Sequence, residues 1–498
     1  MSRERDESYS HVLKYTGIFG GVQGLNILVS LVRNKLVALL LGPEGMGLAS
    51  LFNTTANFMS QATNLGIPFS AVKHVSTLYE EGDEERIAHF VGVVRVWSLI
   101  TAAMGMLLCV LLGPLFSNYT FSWGDHTLHF VLLAPAVGLM ALTGGEMAIL
   151  KGARQLRSLA LIQIYAVFAA LLVSVPVYYF FGQAGIVPVI VLLALISMIL
   201  TVGYSLRLYP LRLSFSKKVL GEGMGMVRLG IAFVLAGVMG SGAEMLIRSF
   251  LNVSGDLDVV GLYNAGFMLT ITYAGMVFSA METDYFPRLA SVCGNGEELS
   301  LTVNRQIEVS LLIMAPMLAV LIIALPVLLP LLFSREFLPV IGMAQVAVFS
   351  MYIKSVSLPI SYITLAKGDS VAYMVLEACY DVVLVGLIVM GYRYWGLFGT
   401  GVALSASYLI DLCVVGGYAW FHYRYRFSRT VVGYAFVQIA LGMSAYLVSL
   451  TAAPLLCWTL GPTICLASLA ISVYILHQKT SLWSALIKKF KARFRSHA

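Results

Sequence analysis

The chain has 498 residues, 59% of them hydrophobic and only 11% charged, with a net charge of +7. A soluble multidomain protein needs surface charge that this composition lacks. Apolar runs of about 20 residues, long enough to cross ~30 Å of hydrocarbon, recur along the whole chain instead. The six cysteines form no CxxC, and all but Cys293 lie in or beside apolar runs, so they suggest neither a disulfide framework nor a zinc site.

The charged start "MSRERDESYSHVLKY" has no short apolar core with a small-residue cleavage site, so the first helix is expected to stay attached. About fourteen spans follow, near 12–41, 47–78, 87–112, 128–150, 158–181, 186–207, 227–252, 260–286, 306–332, 338–365, 371–391, 397–422, 430–453 and 461–477. The tail "LWSALIKKFKARFR" reads as an interfacial amphipathic helix or simply as a basic cytoplasmic tail.

Charges at mid-membrane cost roughly 2.5–3.5 kcal/mol on insertion scales, so each is expected to face a cavity or a partner. In span 1, Gln23, Asn26, Ser30 and Arg33 form one polar stripe at helical spacing, with Asn34 at its edge. Lys35 lies about 200° from Arg33, because i and i+2 do not share a face. The periodicity puts Arg33 on the cavity side and leaves Lys35 either snorkelling or in a cavity. Span 2 carries Asn53, Asn57, Ser60 and Asn64 on one face, for interhelical hydrogen bonds or a wet cavity. Arg95, Arg288 and several carboxylates, Glu146 among them, are expected to snorkel or to be solvated near cytoplasmic ends. Span 7 aligns Ser241, Glu244, Arg248 and Asn252, where Arg248 either pairs with Glu244 or faces a lumen. Lys354 shares a face of span 10 with two serines, and Glu377 and Asp381 share a face of span 11.

The connecting segments alternate in charge. "KGARQLR", "RLYPLRLSFSKK" and "HYRYRFSR" fall in one set, whereas the other set contains only Arg335 and Arg393 as basic residues. The positive-inside rule therefore places both termini in the cytoplasm. A repeat is also visible. Gly47-Leu48 recurs as Gly261-Leu262, and Gly182 and Gly185 recur as Gly396 and Gly399, all at one and the same shift along the chain. Six spans per copy make the halves parallel repeats, an arrangement suited to a transporter with its site at the repeat interface. The expected organisation is an N-lobe at 1–215, a C-lobe at 216–428, two further spans at 429–480 and a basic tail at 481–498. No GxSxG, HExxH or Walker loop is present, so no enzyme activity and no direct use of ATP is read from the chain.

The stretch "NKLVALLLGPEGMGLASLFNTTANFMSQATNLGIPFSAVKHVSTLYEEGDEER" resembles the start of a Wzx-type polysaccharide flippase of the MOP superfamily. The resemblance is carried by a cation in span 1, by Gly42-Pro43-x-Gly45-x-Gly47-Leu48, by "NLGI" in span 2 and by "VVGLYNAGF" in span 8. It implies an all-α, MATE-like membrane fold of about 14 transmembrane helices, with two parallel six-helix repeats plus two C-terminal helices. It further implies translocation of an undecaprenyl-diphosphate-linked oligosaccharide from the cytoplasmic to the outer leaflet through a cationic cavity. On this alignment the family's span 1 cation falls on Lys35 and its span 7 cation on Arg248, in tension with the stripe that favours Arg33.

The residues expected to bind diphosphate or sugar are Arg33, Lys35, Arg248, Asn57, Asn64, Asn252 and Lys354. Glu244, Glu377 and Asp381 are the candidates for coupling to protons, sodium or the membrane potential, and no cofactor or metal is expected. The expected setting is a monomer in the bacterial cytoplasmic (inner) membrane. Its partners would be the lipid-linked oligosaccharide, the phospholipid bilayer and polysaccharide assembly proteins, with no nucleic acid. A MATE-type cation-coupled drug exporter is the alternative, and a membrane polysaccharide polymerase ranks below both.

Overall fold

The computed structural model describes residues 2–120, 125–451 and 454–479. Within them, the side chains of residues 2–20 and of Gln23, Leu229, Ala232, Phe233, Ala280, Glu282, Thr283, Asp284, Pro454 and Lys479 are left out of the description. The polar stripe of span 1 is therefore seen only from Asn26 onward, and the basic tail lies outside the described residues.

The described residues form helices α1 (Ser2–Thr63), α2 (Ile67–Glu81), α3 (Glu84–Thr120), α4 (Thr127–Gly152), α5 (Leu156–Phe181), α6 (Ile186–Leu208) and α7 (Lys217–Ser254). They continue with α8 (Leu257–Phe267), α9 (Tyr273–Ser291), α10 (Gly296–Leu332), α11 (Ile341–Ala366), α12 (Ser370–Tyr423), α13 (Arg429–Ser449) and α14 (Pro454–Lys479). Among the described residues, eleven stretches are long and apolar enough to cross a membrane. Three of these, Gly24–Thr63, Leu156–Leu208 and Ser370–Tyr423, are each divided by a glycine of positive φ into two helical segments. Counted as two crossings each, they give the fourteen spans expected from the sequence. The protein is a multi-pass membrane protein.

The divisions occur where only glycine fits. Gly42 splits α1 with φ of 64°, and Gly396 splits α12 with φ of 58°, left-handed values that a Cβ resists. Gly182, the counterpart of Gly396 in the first copy, has φ of 55° at the turn between α5 and α6. The repeat seen in the sequence is thus a repeat of backbone conformation. Span 2, expected to run unbroken to residue 78, is interrupted. Leu65 and Gly66 adopt positive φ and separate α1 from the shorter α2.

The chain divides into two compact units. The first comprises 1–265, 329–339 and 377–389, and the second 266–328, 340–376 and 390–498. The first unit has an apolar core where α2, α3, α4 and α7 meet, including Ile67, Val91, Val94, Trp97, Ile149 and Met226. Arg95 is also buried there. Its Nε donates to Glu146 Oε1 at 2.8 Å, and its other nitrogens donate to Ser205 Oγ and to the Tyr209 and Pro210 carbonyls at the end of α6. The snorkelling expected of Arg95 and the solvation expected of Glu146 are both corrected, since the two are 4% and 7% exposed. A buried guanidinium requires a carboxylate and several acceptors together, and the end of α6 supplies unpaired carbonyls.

In the second unit, α10, α11, α13 and α14 share a core around Leu311, Met314, Ile322, Met351, Tyr352 and Cys465. Gln438 of α13 donates to Ser472 Oγ at 3.0 Å and accepts from Ser468 Oγ at 2.6 Å, so α13 and α14 are pinned by buried polar contacts. In a bilayer such contacts are each worth about 0.6 kcal/mol on average.

Candidate functional site: a polar cavity beside Arg248

The first unit contains a cavity of about 540 Å³ walled by the second half of α1, the break after it, α4 and α7. This size lies within the roughly 300–1,000 Å³ of small-molecule sites. Its polar lining is Asn57, Ser60, Gln61, Asn64, Ser241 and Glu244. Asn57, Gln61 and Asn64 recur at helical spacing, so they rise along one face of α1 and into its break. Asn64 is held in place there, because its Oδ1 accepts from Gly66 N at 2.8 Å and its Nδ2 donates to Gln61 Oε1 at 2.7 Å. Gly144 and Gly237 form other parts of the wall, and their lack of side chains keeps the cavity open. Among the described residues no lysine or arginine lines it, and Glu244 is the formally charged group of the lining.

Arg248 stands one helical turn beyond Glu244. Its Nη1 donates to Glu244 Oε2 at 3.3 Å, while its Nε donates to Ser50 Oγ at 2.8 Å. The arginine side chain is 6% exposed and the glutamate 49%, so the carboxylate faces the cavity and the guanidinium lies behind it. Ser50 in turn donates to Asn264 Oδ1 at 3.1 Å, and these two occupy equivalent positions of the two copies.

That contact belongs to a reciprocal seam. A Cβ at Gly47 would come within 2.1 Å of the Leu257 carbonyl oxygen. A Cβ at Gly261 would come within 1.9 Å of the Pro43 carbonyl oxygen. Pro43 and Leu257 are themselves equivalent positions, at the same shift that relates Gly47 to Gly261, so the two copies touch as reciprocal partners of a twofold contact. The glycines are needed for close backbone approach, a requirement separate from the turn at Gly42.

The sequence and the fold can be compared with known proteins. A family model described as polysaccharide biosynthesis protein matches residues 36–342. The chain belongs to the polysaccharide biosynthesis protein family. No curated protein matches it by sequence.

Among solved structures, the fold of this family member is similar to an inward-facing multidrug resistance MATE family transporter of the MOP superfamily. The TM-score is 0.69 at 15% identity, over 80% of this chain and 94% of that one. It is also similar to the lipid II flippase MurJ in an inward closed conformation, with TM-score 0.63 at 13% identity over 93% and 99% of the two chains. A MOP superfamily transporter from Pyrococcus furiosus gives 0.60 at 12% identity over 82% and 96%. The chain therefore shares the fold of these transporters.

Lys35 donates from Nζ to the Pro330 carbonyl at 2.7 Å and to that of Phe333, at the end of α10. It acts there as a cationic cap on unpaired helix carbonyls. Arg33 donates to Asn34 Oδ1 at 3.2 Å and lies within electrostatic reach of Tyr178 on α5. Asn252 is buried and donates to the Thr120 carbonyl at 2.7 Å, tying α7 to the end of α3. Lys354 lies in the second unit over the Tyr408 ring at 5.6 Å, within electrostatic reach of Asp411. Asp381 reaches α7, with an oxygen 3.7 Å from the position of a Cβ at Gly240, and Glu377 and Glu244 are its charged neighbours. Among the described residues, no group of three ligating side chains could hold a metal ion.

Asn57, Asn64 and Glu244 are therefore brought together at the cavity, and Arg248 sits behind it. Gln61 was not singled out from the sequence, although its i+4 spacing from Asn57 is the signal that finds it. The Ser50–Asn264 contact also had a signal in the constant shift between the copies, but the two side chains differ and so escape a search for identical residues.

Proposed function

We propose that this chain flips an undecaprenyl-diphosphate-linked oligosaccharide from the cytoplasmic to the outer leaflet of a bacterial cytoplasmic membrane, with both termini cytoplasmic. The observation that carries the reading is the polysaccharide biosynthesis match over residues 36–342, in a chain whose membrane-embedded first unit holds a polar cavity. A glycan crossing a bilayer must exchange water for fixed hydrogen-bonding groups, because unsatisfied polar groups cost several kcal/mol each in hydrocarbon. Asn57, Asn64 and Glu244 supply such groups.

The diphosphate needs cations, and Arg248 and Lys35 are the nearest fit. Their present partners are a serine hydroxyl, a carboxylate and backbone carbonyls. Phosphate oxygens would replace the neutral ones with stronger, charge-assisted bonds. Arg33, Asn252 and Lys354 complete the proposed set in supporting positions. Glu244, Glu377 and Asp381 are proposed to couple transport to protons, sodium or the membrane potential. The chain is proposed to act as a monomer beside polysaccharide assembly proteins.

One observation favours a second reading. The charge in the cavity lining is a carboxylate, which suits a cation exporter of MATE type. Deletion of the gene separates the two. The flippase reading expects lipid-linked oligosaccharide to accumulate in the cytoplasmic leaflet with unchanged drug tolerance. Unchanged glycan export, in a strain without a redundant flippase, sinks it, and heightened sensitivity to cationic drugs would favour the exporter.

A further inference from the structure

The cavity lining is unsuited to a phosphate and suited to a sugar. Diphosphate oxygens only accept hydrogen bonds, so a diphosphate site is built from donors and cations. The lining instead offers amides that both donate and accept, hydroxyls that do the same, and one carboxylate. Among the described residues none hydrogen-bonds the Asn57 amide, which is exposed to the cavity, so both of its functions are available to a ligand. Gln61 has committed its oxygen to Asn64, and Asn64 is locked by the Gly66 amide. The side of the cavity formed by the α1 break is therefore pre-organised, which lowers the entropy of ordering on binding. Glu244 lies opposite on α7 with its carboxylate half exposed, its position fixed by Arg248.

We propose that this cavity receives an uncharged, hydroxyl- and amide-bearing sugar of the transported glycan, and that Glu244 excludes sugars carrying a carboxylate. The proposal rests on the flippase reading and assigns a specificity to its site. Asn57 and Gln61 bond ring hydroxyls or an N-acetyl group, and Glu244 accepts from sugar hydroxyls. A uronic acid placed here would set its carboxylate beside that of Glu244, and juxtaposed like charges disfavour binding. The diphosphate is left to Arg248, one turn along α7.

The test uses the purified full chain in detergent and three probes. These are undecaprenyl diphosphate alone, the same carrier bearing one N-acetylglucosamine, and the carrier bearing one glucuronic acid. Affinities are measured by native mass spectrometry. The N-acetylglucosamine carrier is expected to bind about tenfold or more tighter than the bare carrier, and the glucuronate carrier no tighter than the bare one.

Glu244→Gln keeps an oxygen for Arg248 and removes the charge. It should raise glucuronate-carrier binding at least about tenfold. Asn57→Ala with Gln61→Ala should abolish the gain due to N-acetylglucosamine. Equal binding of the glucuronate and N-acetylglucosamine carriers by the parent chain overturns the proposal. So does a glucuronate affinity unmoved by Glu244→Gln, a conservative change that does not depend on the amide variants folding. Binding of all three carriers alike sinks this assignment alone, whereas no binding of any carrier sinks the flippase reading as well.

Discussion

Gly261→Ala probes the reciprocal seam between the repeats. The new Cβ would stand 1.9 Å from the Pro43 carbonyl oxygen and 2.7 Å from its carbon, both backbone atoms that no rotamer change can move. Ordinary contact begins near 3.4 Å, so the two backbones must separate by about 1.5 Å. Overpacking of this kind costs about 1–3 kcal/mol, which corresponds to about 5- to 150-fold against the closed seam. The Ser50 to Asn264 hydrogen bond, farther along both helices, should open with it. The assay is disulfide formation in a Ser50→Cys, Asn264→Cys chain, with and without Gly261→Ala, read against the six native cysteines as background. Crosslinking should fall by the stated factor in the Gly261→Ala chain, and by a similar factor for Gly47→Ala. Equal crosslinking, with an unchanged melting temperature, would refute the claim that the seam depends on close backbone approach.

Three further outcomes are expected. Arg95→Ala leaves Glu146 buried and unpaired and should cost about 3–5 kcal/mol, seen as lost expression or a lower melting temperature; Arg95→Ala with Glu146→Ala should recover part of it. Lys35→Met removes the cap on the Pro330 and Phe333 carbonyls and should lower stability by about 0.3–1 kcal/mol, whereas Arg33→Met should leave that end of α10 unaffected, as hydrogen exchange at residues 329–336 would report. Asp369, in the turn before α12, is held below the usual carboxylate range by the Ala372 amide and then by the Tyr423 and Tyr418 hydroxyls. Its contribution is present above the ordinary carboxylate pKa and is lost as pH falls through the depressed value. Asp369→Ala should therefore cost about 1 kcal/mol at neutral pH and flatten the acid limb of a melting-temperature profile.

Much of the fold was legible in the residues. Long apolar spans need no partner to be recognised, because lipid demands internally satisfied backbone wherever the chain crosses. Glycines at one constant shift disclosed the repeat, since positive φ and close backbone approach both exclude a side chain. The site was legible in part. Helical spacing found Asn57, Asn64 and Glu244, which do line one cavity. It offered the Glu244 partner of Arg248 at i,i+4 spacing, but not the partners of Lys35 and Arg95, which are distant in sequence. Periodicity reports which face a residue occupies and is silent on what stands opposite.

The sequence by itself therefore determined that this chain crosses a membrane many times, that it is built from two parallel copies, and which faces of its helices are polar. These follow from local chemistry, namely hydropathy over a span, glycine at a forced turn and the period of a helix. Only the tertiary structure decided how the charges are spent. Lys35 caps helix carbonyls, Arg95 is buried on Glu146, and Arg248 withdraws behind Glu244 so that a carboxylate faces the cavity. A charge in low dielectric takes whatever partner the packing brings within hydrogen-bonding reach, and packing is a property of the assembled helices.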